Sequence, residues 1–517
     1  MVDSLLSVSS RTSLLTITLL SSSAWFFPTS AVGQPDPVVA YGGGVDSEYG
    51  WSVDVAGLQG IVGAYRAQLG VRRTGLAELV GDIGQVLLQP EPSTRSDRQF
   101  GWSVAATTDW AMVADIRGDG ARDLGGTVWL YDLNDPGSSP VKLLPEDPLA
   151  STLGGYGSSI DISGDLAIVG TQSGPGVAYV FDLTTREQLY KLTNPGDLVG
   201  RDRFGRSVAI SGNRAVVGAA RNSLGGNAVA EDGSAYLYDL NSGALISELT
   251  GETHSSTGQV GNGGNEFGMS VDIAGDQVIV GSRRIEDDDL NGAGFLFDAD
   301  SGASLGKLSA PSGAMFFGQS VGVSQGTGII GAWGSETAYL FDTATLGLQH
   351  TLEATAQGSD APTEFGRSVA ISGPSYVVGS PNHDSELGCP DNLRCNTGAA
   401  YFYFGANEFR WIEPSGGEFS LDANWESDVV PGPTDLAVFD LSNSYTVELT
   451  ENVQSASMSV RAGDVSLQSD SFRYVVDRLD VEGNAVSASL FVNSTNAVTM
   501  EEHGLLASVI KIGKLGT

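Results

Sequence analysis

The chain has 517 residues, of which 41% are hydrophobic and 69 are glycine. That is enough apolar material for packed cores in two to four domains, and it excludes wholesale disorder. Asp and Glu number 62 against 27 Lys and Arg, a net charge of −35, which excludes nucleic acid as a partner because phosphates need a basic surface.

The first predicted element is a secretory signal peptide over residues 1–33. Arg11 precedes the apolar run "SLLTITLLSSSAWFF" (Ser13–Phe27), and the small residues Ala31 and Gly33 offer a cleavage site before Gln34. The run falls short of the roughly 20 apolar residues of a membrane span. No later segment qualifies as one, so the mature chain is expected to be exported, without a membrane span.

A repeat follows. Its marker is an aromatic residue followed by glycine, at Tyr49, Phe100, Tyr156, Phe204, Phe267, Phe317 and Phe365, spaced 48 to 63 residues apart. In two copies the identity extends to nine residues, "FGRSVAISG" at Phe204–Gly212 and at Phe365–Gly373. Each copy continues through an alternating run ("SVAIS", "SVDIA", "SIDIS"), a tight turn such as Ser211–Asn213, and an apolar run ending in glycine ("RAVVG", "QVIVG"). A variable loop, a third run ("SAYLYD", "AGFLFD") and a fourth ("ALISELT") complete it.

Alternation over four to six residues predicts strands, and Gly-Asp or Gly-Asn turns predict hairpins. Each copy is therefore expected to be a four-stranded antiparallel meander. A lone meander cannot bury both faces, and radial stacking solves that problem. The predicted fold is all-β, with a seven-bladed β-propeller over 38–415.

In that frame the marker aromatics fill the seams between blades, and the glycines allow close backbone approach. Asp132, Asp182, Asp239, Asp298 and Asp342 recur at the end of the third strand. Five equivalent places argue for turn formers rather than a catalytic acid.

The residues "FGRSVAISGNRAVVGAA…GSAYLYD" resemble the FG-GAP repeat. That repeat builds the seven-bladed propeller of integrin α subunits and of many bacterial exported proteins. The resemblance spans about 370 residues and implies the fold more strongly than a function. One departure stands out. The calcium loop that the integrin type carries between its first two strands is replaced here by a tight Ser-Gly-Asp turn, so those calcium sites do not carry over.

Variable loops on a rigid scaffold are where binding usually resides. The long ones run over Gly63–Gly84, Gly218–Gly233 and Gly379–Gly398, and all should project from one face. Two other loops are acidic. "DIRGDGARDLGG" carries Asp115, Asp119 and Asp123, and "EDDDLNG" carries Asp287, Asp288 and Asp289. Such oxygen donors make Ca²⁺ the candidate cation at Asp115, Asp119, Asp123, Asp287 and Asp289. A solvated acidic loop is the alternative at both. Arg117-Gly118-Asp119 spells an adhesion tripeptide, but three letters are weak grounds for that role. Cys389 and Cys395 form a close pair in the last long loop. In an oxidising compartment they are expected to form a disulfide, since zinc needs more ligands than His383 supplies.

No H-E-x-x-H, G-x-S-x-G or P-loop pattern is present. Near Ser415 the grammar changes. Trp411, Gly416-Gly417, Phe419, Asn424-Trp425, Pro431, Asp435 and Phe439 resemble a segment of large bacterial surface and autotransporter-like proteins. The short runs after it ("YTVEL", "LDVEGN", "VIKIGKLG") predict a β-solenoid module over 416–517. Its uncapped final run points either to an incomplete module or to a partner over its end. The expected function is a non-catalytic exported scaffold of adhesion type that presents loops to an extracellular protein or glycan, with Ca²⁺ as the candidate cofactor. An exported polysaccharide-acting enzyme and a purely structural envelope component are the alternatives.

Overall fold

The computed structural model describes residues 37–41, 47–69, 72–81, 84–90, 97–117, 125–135, 137–146, 155–171, 176–195, 203–220, 233–251, 266–283, 292–324, 326–354, 363–383, 396–403, 408–425, 430–431, 436–439, 441, 444–450, 453–460, 463–469, 474–481, 488–494, 506–507 and 510–513. The chain divides into two compact units, one over 34–405 and one that includes 406–517. Among the described residues no helix is long and apolar enough to cross a membrane.

The first unit is an all-β propeller. The sheet around Phe204 illustrates its repeat. Phe204–Ser211, Arg214–Ala219, Ser234–Asp239 and Ala244–Leu249 pair antiparallel in chain order. Ser211 faces Arg214 across a two-residue turn whose Gly212 has φ 52°. Burial follows position within the sheet. The second strand is almost wholly buried, from Ala215 to Ala219, whereas the fourth begins with two exposed residues. This profile fits sheets packed face to face near an axis, with their outer strands in water.

Five sheets stand as separate four-stranded units, rather than the seven expected. The strands of the first two copies share one nine-stranded sheet. The cause is local. In other seams Gly233 bridges Phe267, and Gly398 bridges Tyr49, each as a single parallel contact. At the corresponding seam Gly75 pairs with Phe100 and Arg73 also pairs with Asp97, so two sheets join into one. A second correction concerns Gly63–Gly84. The stretch is not a loop, because Arg72–Gly81 pairs antiparallel with Gln59–Ala64 and serves as a third strand.

The first strands of successive copies contact one another in order, and Ser368–Ser372 contacts Ser52–Ala56, so the unit closes on itself. Closure also uses the other end of the chain. Val38–Tyr41 pairs antiparallel with Ala399–Tyr403 and supplies the fourth strand of the last sheet. Apolar clusters span the seams. Tyr156 packs among Val128 and Leu130 of one sheet and Val169 and Tyr179 of the next. Phe204 does the same with Ile168, Val180 and Val217.

The second unit contains two parallel sheets. Glu408–Arg410, Leu436–Phe439, Val453–Val460, Tyr474–Val481 and Leu506–Ala507 form one. Gly417–Glu418, Ser444–Glu448, Gly463–Ser469, Ala488–Ser494 and Ile510–Gly513 form the other, and the chain alternates between the two. Trp411, Phe419, Trp425 and Phe439 are fully buried in a shared core. Trp411 and Trp425 meet edge to face at 5.2 Å. The Trp425 indole N–H donates to the Phe419 carbonyl at 2.7 Å, so a buried polar group is satisfied.

Candidate ligand-binding face

The marker pair lies at the centre of a β-turn at the entrance to each inner strand. The Trp51 N–H donates to the Glu48 carbonyl at 3.1 Å, closing the turn around Tyr49 and Gly50. Gly50 has φ 88°, and a Cβ there would lie 2.2 Å from the Ala399 carbonyl oxygen. The same N–H to carbonyl bond recurs at Arg206, Met269, Gln319 and Arg367. Each turn therefore delivers the residue after the glycine to the same end of the inner strands. The serine that follows ties one copy to the next. Ser52 donates to the Gly101 carbonyl, Ser207 to Gly268, Ser320 to Gly366 and Ser368 back to Gly50, at 2.8 to 3.2 Å.

The delivered residues differ from copy to copy, and on one arc they are aromatic or cationic. Trp51 lies 5.3 Å from Trp102, and Tyr65 lies 4.8 Å from Trp51 and 5.0 Å from Trp102. The Arg367 guanidinium sits 4.6 Å from the Trp51 ring centre and 5.2 Å from that of Trp333. Trp333 in turn stacks on Phe316 at 4.4 Å with planes 4° apart, and its indole N–H donates to Gln319 Oε1. Trp51, Trp102, Trp333, Phe316 and Arg367 are all half-buried, so the arc borders solvent.

Farther along the inner strands, three carboxylates border a cavity of about 470 Å³ at the axis. Asp54, Asp161 and Asp272 each accept the backbone N–H of the following residue, at 2.8 Å. Each also accepts an N–H from the neighbouring inner strand: Ala106 for Asp54, Ile210 for Asp161 and Val323 for Asp272, at 2.7 to 2.8 Å. Inner strands of adjacent sheets share no ladder there, and the carboxylates satisfy edge N–H groups that would otherwise be orphaned. The equivalent positions in the other copies hold Ala105, Ala209, Gly322 and Ala370, so no two aspartates are adjacent.

The three keep some accessible surface because they border the cavity, yet the protein encloses the cavity around its sides. That enclosure sets the direction of their titration. Burial lifts Asp54 to about 7 and Asp272 to about 6, against the pull of the backbone N–H bonds. Asp161 rises well above the usual carboxylate range, through burial first and then repulsion from Asp272 and Asp54.

A family profile described as the FG-GAP repeat matches residues 187–238 and 254–297. Those segments include the first three strands of the sheets around Phe204 and Phe267, whose turns and seams are described above. The chain carries FG-GAP repeats there. No curated protein matches it.

The marker aromatics are all enclosed: Tyr49, Phe100, Tyr156, Phe204, Phe267, Phe317 and Phe365 are at most 1% exposed. Asp115 is fully buried and holds Arg98 Nε at 2.5 Å, and it also accepts N–H groups from Gln99 and Arg117. Its oxygens are thus engaged within the protein. Asp119, Asp123, Asp287, Asp289, Cys389 and Cys395 lie outside the described residues, as does the signal peptide expected over 1–33. Among the described residues no three His, Cys, Asp or Glu side chains are grouped to hold a metal ion.

The turn aspartates sit on the outer hairpins of the FG-GAP sheets. Asp342 accepts N–H groups of Ala344 and Thr345 and the Thr345 hydroxyl, and these bonds hold its carboxyl below the usual range. Hydroxyls of Thr184, Ser242 and Ser301 act the same way on Asp182, Asp239 and Asp298.

Sequence reasoning missed the aromatic arc and the carboxylate ring. The first had a signal in the residue after each marker glycine, where Trp, Arg, Met and Gln replace one another. The second showed as an Asp inside "SVDVA", "SIDIS" and "SVDIA".

Proposed function

We propose that this protein is a non-catalytic exported binding scaffold and that its ligand, an extracellular glycan or protein, docks on the arc formed by Trp102, Tyr65, Trp51, Arg367, Trp333 and Phe316. The observation that carries this reading is the arc itself. Several large aromatic side chains and a guanidinium converge, half-buried, at one end of a rigid ring. Aromatic and Arg side chains are the anchors that recur at binding hot spots. In this proposal the nine-stranded sheet counts as two blades, giving a seven-bladed ring, and the two parallel sheets of 406–517 serve as a β-solenoid stalk. Calcium enters only through Asp119, Asp123, Asp287 and Asp289, since Asp115 is committed to Arg98.

An enzyme acting on polysaccharide has one observation in its favour, the carboxyls with raised pKa around the axial cavity. We place it second because the same arrangement occurs three times, each with its oxygens bonded to backbone N–H groups. Screening the full chain against a glycan array and against extracellular proteins tests the first reading. Trp102→Ala should abolish capture of any hit while leaving the thermal midpoint within about 2 °C of the parent, as befits a half-buried side chain. Capture that survives Trp102→Ala and Trp51→Ala together, or turnover of a polysaccharide by the parent, overturns it.

A further inference from the structure

Arg367 differs from the other charged groups on this face. Arg66 holds Glu48 Oε1 at 2.6 Å, and Arg283 holds Glu266 Oε2 at 2.6 Å. The Arg367 guanidinium has no such bond. Its nearest carboxylate oxygen, on Glu364, lies 3.9 Å away, beyond hydrogen-bond reach, and Glu364 accepts from Asn382 Nδ2 at 2.8 Å instead. Its Cζ lies over the Trp51 and Trp333 rings. The guanidinium fork carries five N–H donors, and the side chain is 22% exposed.

A guanidinium held over two aromatic rings has already lost part of its rotamer freedom. It presents parallel N–H groups suited to a carboxylate in its own plane. The net charge of −35 repels densely charged ligands, so the complementary partner is one carboxylate on an otherwise neutral body. The polar groups near Arg367 take hydroxyls rather than apolar chains: Glu364 at 3.9 Å, Asn382 hydrogen-bonded to it, and Glu48, whose charge also acts on the guanidinium. A sugar acid meets both requirements.

Building on the binding-face reading above, we propose that Arg367, held over the Trp51 and Trp333 rings, receives the carboxylate of a single uronic-acid residue in an otherwise neutral glycan. The sugar hydroxyls then face Glu364 and Asn382.

The experiment uses the purified full chain and three probes: an oligosaccharide ending in glucuronic acid, the same oligosaccharide ending in glucose, and a short peptide with a free C-terminal carboxylate. Calorimetry gives affinities, and tryptophan fluorescence reports contact with the arc. The uronate probe should bind about ten- to a hundred-fold tighter than its neutral twin, the range of a charge-assisted bidentate pair. That preference should weaken with added salt and vanish in Arg367→Lys, which keeps the charge but loses the planar fork. Equal binding of acidic and neutral sugars overturns the assignment to Arg367 while leaving the binding face standing. Binding of the peptide alone overturns the saccharide in favour of a protein ligand. Silence of all three probes overturns the proposal for uronates outright. The comparison of probes on the parent chain does not depend on any variant folding.

Discussion

Gly50 does two things that no residue type but glycine does together. It takes the left-handed position of the marker turn, and it leaves room for the Ala399 carbonyl, which an added Cβ would meet at 2.2 Å. Gly50→Ala is therefore expected to cost about 2 kcal/mol or more, from strain plus displacement of a packed backbone. Chemical denaturation of parent and variant measures it, and a loss under about 0.5 kcal/mol, the scale of an ordinary surface change, would refute the account. The axial aspartates give a prediction of opposite character. Their folded pKa values are raised, Asp54 to about 7 and Asp272 to about 6. Their contribution to stability is full below the unfolded value near 4 and is lost as pH rises through the folded values. The thermal midpoint should fall between pH 4.5 and 7.5, and that slope should flatten in Asp54→Asn/Asp161→Asn/Asp272→Asn. An unchanged slope in the triple variant would exclude these carboxyls as its source. The sequence displayed these residues openly, but an Asp inside an alternating strand reads as a solvent-facing position unless the ring that encloses it is known.

At the scale of strands, local pattern was a good guide wherever pairing is local. The tight turns after "SVAIS" and "SVDIA" mark hairpins whose partners are a few residues away, and the structure pairs them so. Two elements escaped for identifiable reasons. Arg72–Gly81 is diluted by Arg72, Arg73, Thr74 and Glu78, so its alternation was hidden in a stretch read as loop. Val38–Tyr41 is a plain apolar tetrapeptide whose partner is the far Ala399–Tyr403, and no local signal reports such a pairing. Deleting residues 37–41 should lower the thermal midpoint by a few degrees and speed limited proteolysis, because it uncovers the edge at Tyr401 and Phe402. An unaltered midpoint and digestion rate would mean that the last sheet does not need its borrowed strand.

For the molecule as a whole, the repeated residues and the proposed binding residues are different ones. Marker aromatics, turn glycines and seam serines recur because every seam poses the same packing problem. The position after the marker glycine holds Trp51, Trp102, Ser158, Arg206, Met269, Gln319 and Arg367, and that variation places Trp51, Trp102 and Arg367 side by side on a single arc. A reading based on what the copies share finds the fold and passes over the site. In a repeat protein, divergence at a geometrically fixed position is the more informative sign.

The borrowed strand also sets an order of events. The closing contacts join segments far apart in the chain, as with Ser47 and the Thr397 carbonyl across 350 residues. Closing so long a loop carries a large entropic cost, and contacts of such separation are slow to form. The intervening sheets can form from neighbours as the chain emerges, but the ring remains an open arc with an unprotected margin until its last strand exists. Val38–Tyr41 is thus made long before Ala399–Tyr403, the strand it pairs with, and is among the last to find its place. It works as a clasp, and for most of assembly the chain must keep it from fastening to another molecule.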